Sequence, residues 1–213
     1  AYHTAERGTC IFRLQEHTER LFRSAHILRM EMPFDRDTIN EAQRTVVREN
    51  GLAEGYLRPL AYLGSEAMGL RAEGLKTHVV VAAWEWPSYM DPEARERGIK
   101  VRTSSYTRHH VNITMCKAKA VGNYTNSMLA LREAVESGAE EALLLDNEGY
   151  VAEGSGENFF MVRAGRIHTP ELTSCLEGIT RDTVMRLARD MGLEVVERRI
   201  TRDEVYIADE AFF

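Results

Sequence analysis

Cysteine is scarce in this sequence. Cys10, Cys116 and Cys175 are the full complement of three, widely separated and without a CxxC pair. An odd number so spaced argues against a disulfide framework and leaves three reduced thiols as the expectation. Cys116, beside two lysines, reads first as a small apolar filler. Positive charge is also short: 27 Lys and Arg stand against 33 Asp and Glu, for a formal net charge of -6 and a pI near 5.7. That excludes the basic footprint by which a protein holds nucleic acid or an anionic membrane. Long apolar runs are missing as well. The stretch "VVVAAW", Val79–Trp84, falls far below the roughly 20 residues of a membrane-spanning helix. No charged-then-apolar leader opens the chain. The expectation is a cytoplasmic protein.

What is present suits an ordinary globular protein. The chain has 213 residues, 44% hydrophobic and 28% charged, enough for one sizeable core or two modest domains. Helical spacing of Leu21, Ala25 and Leu28 predicts a helix over residues 15–30. A second helix is expected from Asp37, as the capping residue, to a stop at Gly51. "EGYLRPLAYLG" alternates, so Tyr56, Arg58, Leu60 and Tyr62 share one face of a strand, and Pro59 puts that strand at an edge. "THVVVAAWEW" is continuously apolar and reads as a buried strand. "SYMDPEARERG", residues 88–98, is polar and aperiodic, the best linker. Beyond it come a strand near residues 99–106, a helix over 126–137, the strand "ALLLD" and a hairpin turning at Ala164-Gly165. A helix "GITRDTVMRLARDMG" and a strand "LEVVERRI" follow. Strands and helices mix without strict alternation, which predicts an α+β fold in two lobes. The expected domains are 1–88 (small), 89–98 (linker) and 99–213 (large). Both ends, "AYHTAERG" and "YIADEAFF", look cut inside structure.

The chemistry-bearing residues begin with "MCKAKAVGNYTNS", Met115–Ser127. On one strand Lys117 and Lys119 would share a face about 7 Å apart, at roughly 3.3 Å per residue, so alternation does not choose between them. A catalytic amine has to be deprotonated near neutral pH, and burial or a neighbouring positive charge drives it that way. "EGSGENFF", Glu153–Phe160, sets two glycines and two acids before a hairpin, without the third glycine of a dinucleotide site. "CLEGITRDTV" puts Gly178, Ile179 and Thr180 at the mouth of a helix, where backbone N–H groups can cradle phosphate. His109 and His110, adjacent, make a poor chelate, and no metal site is expected.

Five motifs in order, "GYLRPL", "KAVGNY", "EGSGENFF", "EGITRD" and "YIADEAFF", closely resemble the branched-chain amino acid aminotransferases, among the fold type IV enzymes that use pyridoxal 5'-phosphate. The resemblance runs the length of the chain. It implies a two-lobed α+β architecture and puts Lys119, by register with the Gly-Asn-Tyr tail, on the lysine that binds the cofactor covalently and acts as catalytic base. Val121 stands where the family more usually has glycine. Carried over in the same way, Glu153 lies against the pyridine nitrogen, Tyr124 bonds the ring's phenolic oxygen and Arg20 clamps the phosphate. Ile179 and Thr180 complete the phosphate cup, and Tyr56 with Arg58 faces the substrate. An arginine there suits a carboxylate better than lysine would. The resemblance also implies a homodimer or higher homo-oligomer. Family members begin earlier and continue past "ADEAFF" with a threonine-containing loop.

The activity so implied is transfer of the amino group of L-leucine, L-isoleucine or L-valine to 2-oxoglutarate. The products are a branched-chain 2-oxo acid and L-glutamate. Rival readings are a D-amino acid or (R)-amine transaminase of the same fold, and a truncated fragment that folds without catalysing anything. The weakest rival is a NAD-dependent oxidoreductase.

Overall fold

The structure, a computed structural model, describes residues 1–86 and 92–213. It divides into two compact units, Ala1–Pro92 and Glu93–Phe213.

The first unit opens with an antiparallel hairpin, β1 (Tyr2–Thr4) and β2 (Gly8–Cys10). Two helices follow, α1 (Leu14–Ile27) and α2 (Arg36–Glu49), then an eight-residue antiparallel ribbon, β3 (Tyr56–Leu63) and β4 (Thr77–Trp84). The residue that caps α2 is Asp35, not the expected Asp37: its side chain accepts from the Thr38 N–H at 2.8 Å. Gly51 ends the turn beyond α2 with φ 61°, a left-handed conformation suited to glycine. Between the helices, the Thr18 hydroxyl donates to Asn40 at 2.6 Å and accepts from Gln43 at 2.9 Å, so three buried polar side chains satisfy one another. The helices pack on the ribbon, and Tyr56, Arg58, Leu60 and Tyr62 all fall on its exposed face. β4 departs from expectation. It is not buried throughout, and Val80 is 46% exposed, because a two-stranded ribbon covered by helices on one face leaves the other open.

Of the predicted linker, residues 88–91 lie outside the described residues, and the part that follows is a short helix, α3 (Pro92–Arg97). The second unit then builds two sheets. In the first, β5 (Val101–Thr103), β6 (Glu141–Leu145) and β7 (Val151–Gly154) lie in that order, β5 parallel to β6 and β6 antiparallel to β7. Between β5 and β6 runs α4 (Tyr124–Glu136), entered through a single 3₁₀ turn at Val121–Asn123. Its Ala130 and Ala134 are fully buried against Ala142 and Leu144 of β6, small side chains that let helix and sheet approach closely.

The second sheet takes β8 (Phe160–Arg163), β9 (Arg166–Thr169), β10 (Val195–Glu197) and β11 (Glu210–Phe212) in the order β10-β9-β8-β11. The β8–β9 hairpin turns at Ala164 and Gly165, both at positive φ, as expected. Helix α5 (Ile179–Asp190) packs Met185 and Ala188 on Phe160 and Ile167. A short α6 (Arg202–Tyr206), set by a Thr201–Glu204 capping box, precedes β11. The deepest cluster joins Leu143, Val151, Phe159, Met161 and Ile200. Burial of a side chain of this size stabilises by about 1.5–3 kcal/mol.

Candidate active site

The lysine stretch is not a strand, so the two lysines need not share a face. Residues 111–120 form irregular turns, held by Asn123, whose side-chain amide donates to the carbonyls of Met115 and Ala118 at 3.2 Å each. The two amines consequently face different surroundings. Lys117 Nζ donates to the carbonyls of Leu172 and Cys175, the latter at 3.1 Å, and so braces the loop ahead of α5. Lys119 is exposed, with Nζ 2.5 Å from the hydroxyl of Tyr124, the first residue of α4. Val121 is 70% exposed at the 3₁₀ turn.

Glu153 sits on β7 with 7% of its surface exposed. Burial pushes its carboxyl above the ordinary range, and the opposing influences are all nearby: Arg108 first, then the Leu176 N–H, then Lys119 and Lys117. The Arg108 guanidinium meets Glu153 Oε1 at 2.8 Å, with both side chains less than a tenth exposed. Glu153 Oε2 accepts from the Leu176 N–H at 3.3 Å and from Asn158 Nδ2 at 3.4 Å. Asn158 also donates to the Leu176 carbonyl at 3.0 Å, which ties Glu153 to the entrance of α5. Gly178 is the residue before that helix. A Cβ there would collide with Asn158 Oδ1 and lie 3.2 Å from Asn158 Cγ, so a larger residue fits only by displacing Asn158. Ile179, buried, and Thr180, exposed, then open α5 at its positive end.

The second unit thus brings together Lys119, Tyr124 and Glu153, and links Glu153 through Asn158 to the start of α5. Arg20, Tyr56 and Arg58 belong to the first unit. Arg20 is half-buried on α1. Arg58 lies over the rings of Tyr56 and Trp84, at 5.4 and 5.6 Å, and Trp86 joins the cluster 5.0 Å from Tyr56. The two tryptophans carry no signal in the sequence beyond the apolar run that contains them. Sequence reasoning also missed Arg108, an arginine in a polar stretch that is brought to Glu153 only by the fold: its N–H bonds the Leu145 carbonyl at 2.8 Å. Asn158 lies within a motif already noted, but nothing there distinguishes it from a turn residue.

The cysteines are free thiols, and Cys175 is pushed up to about 12 by burial and by the charge of Glu153, which makes it inert. His109 is held down to about 4 by burial and by the Arg108 charge, hence neutral near pH 7. Among the described residues no cluster of His, Cys, Asp or Glu is placed to hold a metal ion, and no helix is long and apolar enough to cross a membrane.

The model of the amino-transferase class IV family matches residues 4–213. The chain belongs to the class IV aminotransferases. Within this family it is 64% identical over 213 residues to the branched-chain-amino-acid aminotransferase of Pseudomonas aeruginosa, covering 100% of this chain and 69% of that one. It is 42% identical over 210 residues to the enzyme of the same name from Escherichia coli K12, covering 98% and 68%. The solved branched-chain amino acid aminotransferase of Thermobaculum terrenum, in its pyridoxal phosphate form, superimposes with a TM-score of 0.91 at 40% identity. That match covers 99% of this chain and 69% of the other. As a class IV aminotransferase the chain has the two-lobed fold type IV architecture expected from its motifs.

Proposed function

We propose that the chain transfers the amino group of branched-chain L-amino acids to 2-oxoglutarate with pyridoxal 5'-phosphate as cofactor, yielding branched-chain 2-oxo acids and L-glutamate. The observation that carries this reading is a buried carboxylate, Glu153, paired with Arg108 and within electrostatic reach of Lys119, whose amine contacts Tyr124. The names of its relatives support the substrate class.

The residues present fit the cofactor. Arg108 Nε, His109 Nε2 and Thr114 Oγ1 are buried without a partner among the described residues, so the second unit holds polar capacity that its own chain leaves unused. When bound, pyridoxal phosphate supplies an aldehyde and a ring able to accept the electrons released at the substrate α-carbon. Lys119 would attach it and, once freed, take the α-proton on Nζ. The Tyr124 hydroxyl orients that amine. Glu153 would present its negative charge to the ring nitrogen and favour the protonated form there. The Arg108 charge opposes the effect of burial and favours the ionised form of Glu153. The N–H groups at Ile179 and Thr180, with Arg20, would hold the phosphate, and Tyr56 with Arg58 would meet the substrate side chain, a distal carboxylate included. The working form is a cytoplasmic homodimer or higher homo-oligomer.

Initial rates with L-leucine, L-isoleucine and L-valine, against a D-amino acid and a simple chiral amine, test the proposal. Turnover of the L series, abolished in Lys119→Ala, is expected. Preference for the D-acid or the amine would move the chain to another activity of its fold.

A further inference from the structure

Behind Glu153 lies a second pair of acids that the proposed chemistry leaves idle. Glu141, on β6, is 1% exposed. Its Oε1 accepts from the N–H of Ala142 at 2.7 Å and of Ser155 at 3.1 Å, while its Oε2 is buried with no partner among the described residues. Glu157 is half-buried. Its Oε2 accepts from the Gly156 N–H at 3.0 Å and its backbone carbonyl from the Gly154 N–H at 2.8 Å. The consecutive amides of Ser155 and Gly156 are therefore held by two different carboxyl groups. The turn they form begins at the residue after Glu153.

A bare carboxylate oxygen in a dry interior is costly, and two ionised carboxyls in contact are costlier still. One proton removes both penalties, since it gives Glu141 Oε2 the donor it lacks and leaves a single negative charge on the pair. We propose that Glu141 and Glu157 act as one proton-sharing carboxyl pair that fixes the Gly154–Glu157 turn to β6 and thereby positions Glu153.

Several influences act on Glu157 from its surroundings. Burial and the charges of Glu141 and Glu153 raise its pKa to about 7, against the Gly156 N–H, which lowers it. The cations that face this cluster, Arg108, Lys117 and Lys119, are directed at Glu153. Because the two carboxyls share the proton, its loss is felt by both. Its sign follows from proton counting. Between about 4.5 and about 7 the folded chain holds a proton that the unfolded chain has released, so the pair's contribution to stability falls as pH rises through that window.

Carbon-13 NMR of the glutamate Cδ atoms, on this chain without cofactor, tests the inference. Glu157 is expected to titrate near pH 7, with the Glu141 and Glu153 resonances shifting in the same transition. In Glu157→Gln that transition vanishes at both remaining residues, and the dependence of Tm on pH flattens across the window. Titration of Glu157 below about pH 5, or Glu141 and Glu153 resonances indifferent to its transition, would overturn the proposal. The titration of the unaltered chain decides even if the variant does not fold. Failure here leaves the aminotransferase reading untouched, because no turnover is measured.

Discussion

The two units treat their strands in opposite ways. In the first, the β3–β4 ribbon is covered on one face and shows Tyr56, Arg58 and Tyr62 on the other, where charge and ring edges meet water at little cost. In the second, β7 and all but the last residue of β6 are buried, yet they carry Glu141 and Glu153. A charge placed there has to be offset residue by residue, by Arg108, by the Leu176 N–H and by a shared proton. An exposed charge gives little information about chemistry, whereas a buried one that keeps its partners indicates a task.

Variants of the two units should divide along this line. The largest effect is expected for Arg108→Leu, which strands Glu153 in the interior and should cost about 3–5 kcal/mol in urea unfolding. A loss no larger than that of a surface substitution would break the contrast. Next comes Glu153→Gln, which keeps the shape and removes the charge. Proton abstraction, read from the isotope exchange rate at the substrate α-carbon, should fall by about a hundredfold or more. Cofactor affinity should change far less, and comparable loss on both measures would contradict the role given to Glu153. Gly178→Ala forces Asn158 aside and should cost about 1–3 kcal/mol, with weakened phosphate binding as a second readout. The smallest effect belongs to the first unit: Val80→Thr, on the open face of β4, should stay within about 0.5 kcal/mol.

The same contrast explains what could be read in advance. Period-two alternation located the exposed face of β3, and the Ala164-Gly165 dipeptide located a hairpin, because both signals are local. The apolar run in β4 misled for the complementary reason: how many faces of a strand are covered depends on what packs there, and the run itself says nothing of a two-stranded ribbon. For the cap of α2 the sequence offers two acids two residues apart, Asp35 and Asp37, and only Asp35 has the bonding geometry. At the site, motif register singled out Lys119 while strand geometry left both lysines open. The loop turns Lys117 onto two carbonyls, which gives the two amines different surroundings. Arg108 was illegible, because its importance lies in a partner 45 positions along the chain that only the sheet brings near.

The proposed chemistry depends most directly on which lysine takes the cofactor. Borohydride reduction of the protein loaded with pyridoxal phosphate, followed by peptide mapping, reads this in one step. Loss of the yellow colour and a single phosphopyridoxyl label on Lys119 are expected. A label on Lys117, or none on either, would contradict it.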